Sequence, residues 1–366
     1  MVEEQASMAV KSTPLVCAGH TRPIPSIHFS PLLPSTSRDP NYLLISACKD
    51  GKPQLRDWVG DWQGTFTGDK GHKGAVWSAR LSRDGAFAAT ASADFTAKVW
   101  DTHTGACLVT LPHSHIVRTA DLSSDSLFSA SPPSPNPDAP APLPSTLRVL
   151  TGGHEKRLRL WDLTRAPRDG SEVSATDGVD ELRRDNGANA HEGTIKKALW
   201  DEERQGCISM GEDRVIRWWD LRTLQQTHEI SFENQPVTSM EKSHDGELLA
   251  VTTGKDVVFL SLDSRLPYLS HTLPYAPSSA SLHPITRSTF VAGSTADEWV
   301  RVHDAESGRE LEVGKGHHGP VHCVAYSPDG ELYASGSEDG TIRLWQTSPK
   351  TYGLWQYNEE PSATAA

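Results

Sequence analysis

The sequence is short of cysteine, short of basic charge and without a long apolar run. Its five cysteines, at positions 17, 48, 107, 207 and 323, are an odd number with no Cys-x-x-Cys pair, which argues against a disulfide framework and for a reducing compartment. They read as small core residues. No stretch of about 18 apolar residues occurs, so no membrane-spanning helix is expected. The opening MVEEQASMAVKSTP carries acidic residues where a secretory signal would be basic and then apolar. A soluble intracellular chain is expected. Against 47 acidic residues stand 35 basic ones, a net charge of −12, which disfavours a phosphate backbone as the main ligand. The phosphate-loop, nucleophile-elbow and His-Glu-x-x-His signatures are also missing. The sixteen histidines include HSH (113–115) and HHGPVH (317–322), but no Cys or carboxylate stands beside them at ligand spacing. No enzyme, metal or cofactor is therefore expected, and a protein is the expected partner.

What is present is a repeat. Asp339 lies 22 residues after His317 and six before Trp345, and the same two spacings join His72, Asp94 and Trp100, then His191, Asp213 and Trp219. Weaker copies fit the same ruler of 42 residues. Asp297 and His303 mark one, and a hidden copy centred near Ser261 has Lys255 in the Asp position and Glu233 in the His position. Trp161 belongs to a copy with Glu155 in the Asp position. Asp50 marks the first, with Arg56 in place of Trp. The count is seven.

Each unit contains short alternating runs, such as VHCVAYS (321–327), ELYASGS (331–337) and TIRLWQT (341–347), parted by Pro-Asp-Gly and Glu-Asp-Gly. Asp-Gly between alternating runs signals a hairpin. Four strands per period of 42, framed by His and Trp, resemble the WD-repeat propellers over almost the whole chain. The expected fold is all-β, a seven-bladed propeller over residues 12–357 with flexible tails at 1–11 and 358–366. Residues 12–17 are expected to pair with the strand around 341–346 and close the ring, covering an exposed edge. Insertions at 30–42, 129–146 and 165–190 read as solvated loops, all at one end of the disc.

The resemblance implies that Asp, His, a Ser or Thr and Trp form one buried hydrogen-bonded set in the blades that keep these residues. Four residues before the Asp positions stand Ser46, Thr90, Thr151, Ser209 and Ser335. A Trp donates, a hydroxyl does both and a carboxylate accepts, so Trp, hydroxyl, His and Asp can satisfy one another in a chain. The sets His72/Thr90/Asp94/Trp100, His191/Ser209/Asp213/Trp219 and His317/Ser335/Asp339/Trp345 are read as structural. Their His and Asp loops define a top face. Two positions per blade point there: Lys49, His154, Glu212 and Glu338 before the turn Asp, and Trp77, Arg118, Lys196 and His322 five after the His. These eight are the candidate partner-binding residues, with Trp77 the expected anchor. The basic run KRLRLWDLTRAPR (156–168) reads as a solvated strand edge rather than an RNA site.

Closer likeness lies in LISACKDGKPQLR, GHKGAVW, ADFTAKVWD, HIVRTADLS, IKKALW, SASLHP and ELYASGSEDGTIRLWQTSPKTYGLW, spread over six repeats. Together they resemble the family of serine/threonine kinase receptor-associated proteins, also called unr-interacting proteins. The resemblance implies a non-catalytic adaptor that is cytoplasmic and nuclear and acts as a monomer within a larger complex. It also implies a peripheral place in the survival-of-motor-neuron complex that assembles spliceosomal ribonucleoprotein cores. Ties to receptor-kinase signalling and to an RNA-binding translation regulator are implied as well, and the family pattern makes Met8 a start. Two further resemblances stand beside it. The i subunit of the third eukaryotic initiation factor shares GHKGAVW-like and GHHGPV-like stretches, and WDLR (219–222) is similar to the box by which propellers dock on cullin ubiquitin ligases, with Arg222 as the docking residue.

Overall fold

The computed structural model describes residues 13–35, 39–123, 147–163, 166, 169–173, 178–184, 186–232, 235–348 and 350–355. The expected tails 1–11 and 358–366, the 129–146 insertion and Glu233 lie outside the described residues. Every regular element among those described is a strand, and the strands form seven four-stranded antiparallel sheets. Blade 1 runs from Ser26–Phe29 outward to Trp62–Thr65, blade 2 from Val76–Leu81 to Cys107–Pro112, and blade 3 from Val117–Leu122 to Val179–Leu182. Blade 4 runs from Ile195–Asp201 to Gln225–Ser231, blade 5 from Val237–Lys242 to Pro267–Thr272, and blade 6 from Pro277–Leu282 to Glu310–Gly314. Blade 7 takes Val321–Tyr326, Leu332–Ser337 and Ile342–Gln346 from the C-terminal end and its outer strand, Leu15–Cys17, from the N-terminal end. Leu15 lies opposite Leu344 and Cys17 opposite Ile342, so the expected closure is present.

A sheet with two apolar faces must bury both, and here each blade does so against its two neighbours. Seven core clusters result, each straddling one pair of adjacent blades. The cluster between blades 7 and 1 joins Ile342 and Leu344 to Ile27, Phe29 and Leu44, which makes the ring continuous. The C-terminal segment fastens this seam. Trp355 packs into the same cluster and its Nε1 donates to the Thr13 carbonyl at 2.9 Å. Tyr352 donates to Asp329 Oδ2 at 2.6 Å, meets the Tyr42 hydroxyl at 3.0 Å and stands edge-on to Trp58.

In blades 1, 2, 3, 4 and 7 the residue directly after the turn carboxylate is left-handed. Gly51 and Gly340 take this conformation at φ +82° and +76°, but Phe95, Lys156 and Arg214 adopt +67°, +62° and +64° without the freedom of glycine.

The reading of 165–190 as one loop at the bottom is corrected. Val179–Leu182 within it is the outer strand of blade 3, paired with Leu158–Asp162. Its VDEL sequence has no apolar alternation because an outer strand is held by its ladder rather than by a buried face. Before it, Gly170, Ser171 and Val173 hydrogen-bond to Leu108 and Thr110, laying a short parallel segment along the outer edge of blade 2. After it, residues 183–184 and 186–190 lead to His191 and so lie on the top side.

Candidate functional site

The polar sets form as the offsets require. In blade 4, Trp219 Nε1 donates to Ser209 Oγ at 2.8 Å, Ser209 Oγ meets His191 Nε2 at 2.7 Å, and His191 Nδ1 lies 2.9 Å from Asp213. Blades 2 and 7 repeat this through Thr90 and Ser335, with hydroxyl-to-His distances of 2.7 Å. Donor logic orders the protons in blades 2 and 7, where the indole gives to the hydroxyl, the hydroxyl to Nε2 and Nδ1–H to the carboxylate, while in blade 4 Arg217 Nη1 also stands 2.8 Å from His191 Nδ1. Burial lowers the pKa of His72, His191 and His317, against the pull of their carboxylates, so the rings are neutral. Burial alone would raise the Asp213 carboxyl, but hydrogen bonds from His191, Arg217 and the Glu192 amide hold it well below its usual range.

This order of atoms is also that of a serine hydrolase. The surroundings rule that chemistry out: Thr90, Ser209 and Ser335 are fully buried and each hydroxyl already accepts an indole N–H. The sets therefore hold the blades.

The divergent blades are stapled differently. In blade 1 His20 bridges Ser46 and Asp50, while Arg56, in the Trp position, donates instead to the Gly60 and Ala18 carbonyls and to Gln54. Cys48 lies near this pair, but both ring nitrogens of His20 are engaged and burial pushes the thiol up to about 12, so the trio is a poor metal centre. In blade 3 Trp161 reaches Thr151 at 2.7 Å, yet His113 stands 3.6 Å from Glu155 and its Nε2 is buried without a partner. The longer Glu side chain turns to Arg159 at 2.5 Å. In blade 6 the order is exchanged. Tyr275 fills the His position and donates to His303, in the Trp position, at 2.8 Å. Sequence reasoning missed Tyr275, although its place 22 residues before Asp297 is the signal that finds it.

The second feature is the top mouth of the central channel, a cavity of about 330 Å³. In blades 2, 3, 4 and 7 the inner strand begins with a register shift that skips one residue, and the skipped residues are Trp77, Arg118, Lys196 and His322. A bulge re-aims a side chain that regular pairing would point into a blade interface. All four, with Lys49, line the mouth. Trp77 is half-buried between the Arg118 guanidinium, 3.7 Å from its ring centre, and the Lys49 ammonium at 5.2 Å. The other candidates sit on the rim. His154 stacks on His115, which in turn meets the exposed Phe95. Glu338 is 3.6 Å from His322, and Glu212 is exposed near Arg118.

Below the mouth the channel is closed by charge. Glu241 accepts from Arg80 at 2.8 Å and from Lys197, which ties blades 2, 4 and 5 together. Burial opposes ionisation of Glu241, and the two cations outweigh it and hold its carboxyl below the usual range. Arg222 sits at the opposite end, 79% exposed and 3.7 Å from Asp220. The basic run is spent on ion pairs, Arg157 with Glu181 and Arg159 with Glu155, while Arg165 and Arg168 lie outside the described residues.

The WD domain, G-beta repeat family matches residues 62–101 and 308–346, each stretch running from the outer strand of one blade through three strands of the next. The human serine-threonine kinase receptor-associated protein is 45% identical over 351 residues, covering 95% of this chain and 87% of its own length. The protein of that name from Dictyostelium discoideum is 42% identical over 335 residues, covering 91% and 98%. The chain belongs to this family. Subunit I of eukaryotic translation initiation factor 3 from Culex quinquefasciatus is more distant, 28% identical over 348 residues, covering 90% of this chain and 95% of its own length. The stretches that single out the receptor-associated family also have structural work here: ACKDGKP carries Lys49 and Asp50, and TYGLW carries the clasp residues Tyr352 and Trp355.

Proposed function

We propose that this propeller is a non-catalytic adaptor that serves as a peripheral component of the survival-of-motor-neuron complex in spliceosomal ribonucleoprotein assembly, in the cytoplasm and the nucleus. The observation that carries the reading is the likeness to receptor-associated proteins at 45% identity over nearly the whole chain, against 28% for the initiation-factor subunit. The disc supports it physically, because its buried Ser, His and Asp are used in stapling blades while bulged residues are presented at one mouth. Receptor-kinase association and contact with an RNA-binding translation regulator are further parts of the same adaptor role. Affinity capture of the tagged chain from its own cells tests this. Assembly-complex subunits are expected to dominate the eluate. Recovery of initiation-factor subunits instead, or of a ligase adaptor lost on Arg222→Ala, would replace the reading by the corresponding alternative.

A further inference from the structure

The mouth gathers positive charge that no ion pair among the described residues engages directly. Lys49, Arg118 and Lys196 form no ion pair among the described residues, in a chain whose net charge is −12. Glu241 is the acidic residue lining the cavity, and it is already bound to Arg80 and Lys197. Arg118 holds its guanidinium carbon 3.7 Å from the centre of the Trp77 ring, and its N–H groups have no hydrogen-bond acceptor among the described residues. Lys196 has a weak contact, 3.5 Å to the Val237 carbonyl. Trp77 Nε1 is buried and has no hydrogen-bond partner, as is His322 Nε2 apart from Glu338 at 3.6 Å. Buried donors without acceptors are uncommon in a folded protein and point to a group that arrives later. Burial also lowers the pKa of Arg118, and Glu212 offsets this only in part, so an added anion would stabilise that cation.

We infer that the mouth receives an acidic peptide segment of a partner protein, with a carboxylate set among Lys49, Arg118 and Lys196 and accepting the Trp77 indole N–H. The inference rests on the adaptor reading and names the chemistry of its site. A low-dielectric funnel of one sign focuses the field and draws in the opposite charge. A peptide fits better than RNA, because the cavity of about 330 Å³ holds one or two side chains rather than a run of nucleotides.

The test uses the full chain and fluorescence anisotropy with a fluorescein-labelled decapeptide alternating Glu and Gly. Parallel arms use the same peptide with Gln for Glu, one with phosphoserine for Glu, and a ten-nucleotide oligouridylate. Binding of the Glu peptide should weaken as salt rises. It should be at least ~10-fold weaker for the Gln peptide and for the Lys49→Gln/Lys196→Gln variant, because each loses charge-assisted bonds in a sheltered site. Arg118→Gln should act in the same direction. Should that variant melt early, the half-buried lysine pair carries the test. Equal binding of Glu and Gln peptides, no binding of the Glu peptide at 1 mM (about −4 kcal/mol), indifference to the lysine variant, or tighter binding of the phosphopeptide or the oligouridylate would each overturn the inference. If the lysine variant still captures the wild-type partners, the adaptor reading stands and the mouth is removed from it.

Discussion

Ser209 is the residue on which blade 4 turns. Its hydroxyl accepts from Trp219 and meets His191 inside a fully buried site, so it serves two partners that have no access to water. Removing the oxygen leaves an indole N–H and an imidazole nitrogen unpaired. Ser209→Ala is therefore expected to destabilise the protein by roughly 1–3 kcal/mol, more than loss of one ordinary hydrogen bond. Urea unfolding measures this. As a control, Thr223→Ala, at an exposed turn of the same blade, should change stability by under about 0.5 kcal/mol. Similar losses for both would show that the polar set contributes nothing special. Much of this was readable from the chain, because donor and acceptor types at fixed offsets admit few arrangements. The exchanged pair in blade 6 was not, since Tyr275 and His303 keep the spacing while swapping the chemistry. Glu155 likewise kept its position but shares its carboxylate between Ser114 and Arg159.

At the scale of elements, the period revealed the blades, and the composition of STPLVC revealed the closing strand. What it left hidden were features that no residue type announces. A bulge is a difference of register between two strands, so the offsets put Trp77, Arg118, Lys196 and His322 on the top face without showing why they leave the sheet plane. The outer strand Val179–Leu182 was hidden for the converse reason, since its backbone ladder forms without an apolar pattern. The TYGLW segment carried family likeness but no visible role. Its role is mechanical: the closing strand has only three residues, and Trp355 adds a hydrogen bond and a buried ring across the seam. Trp355→Ala should cost about 3 kcal/mol, the lower end for a large aromatic lost from a packed site. The loss should be local first. Amide exchange is expected to rise at Val16 and Arg343 before it rises in blade 4, and uniform acceleration around the ring would contradict a clasp at this seam.

Blades 2, 4 and 7 repeat one titrating unit, so small local shifts add to a pH response of the whole ring. Histidines 72, 191 and 317 have pKa values lowered by burial, as do His28 and His244 in the channel. Below about 6.5 the unfolded chain takes up protons at these rings while the native one does not, so stability falls as pH falls. The carboxylates act in a second step of the same sign. Burial would raise Asp50 and Asp339, but His20 and Lys52 hydrogen-bond the first, and the His318 amide, Thr341 and His317 the second; both end at about 2. Asp94 and Asp213 lie lower still. Their contribution is complete above about 4 and is lost as pH falls toward 2. The melting temperature should accordingly decline from pH 7.5 to pH 5, where free carboxylates do not titrate, and decline again below pH 4. Scanning calorimetry across that range separates the phases. Replacing His191 by Gln, which keeps a donor and an acceptor without a titrating proton, should lower stability at pH 7.5 and flatten the upper phase. An upper phase of unchanged slope would mean that the buried imidazoles are not what the ring loses on acidification.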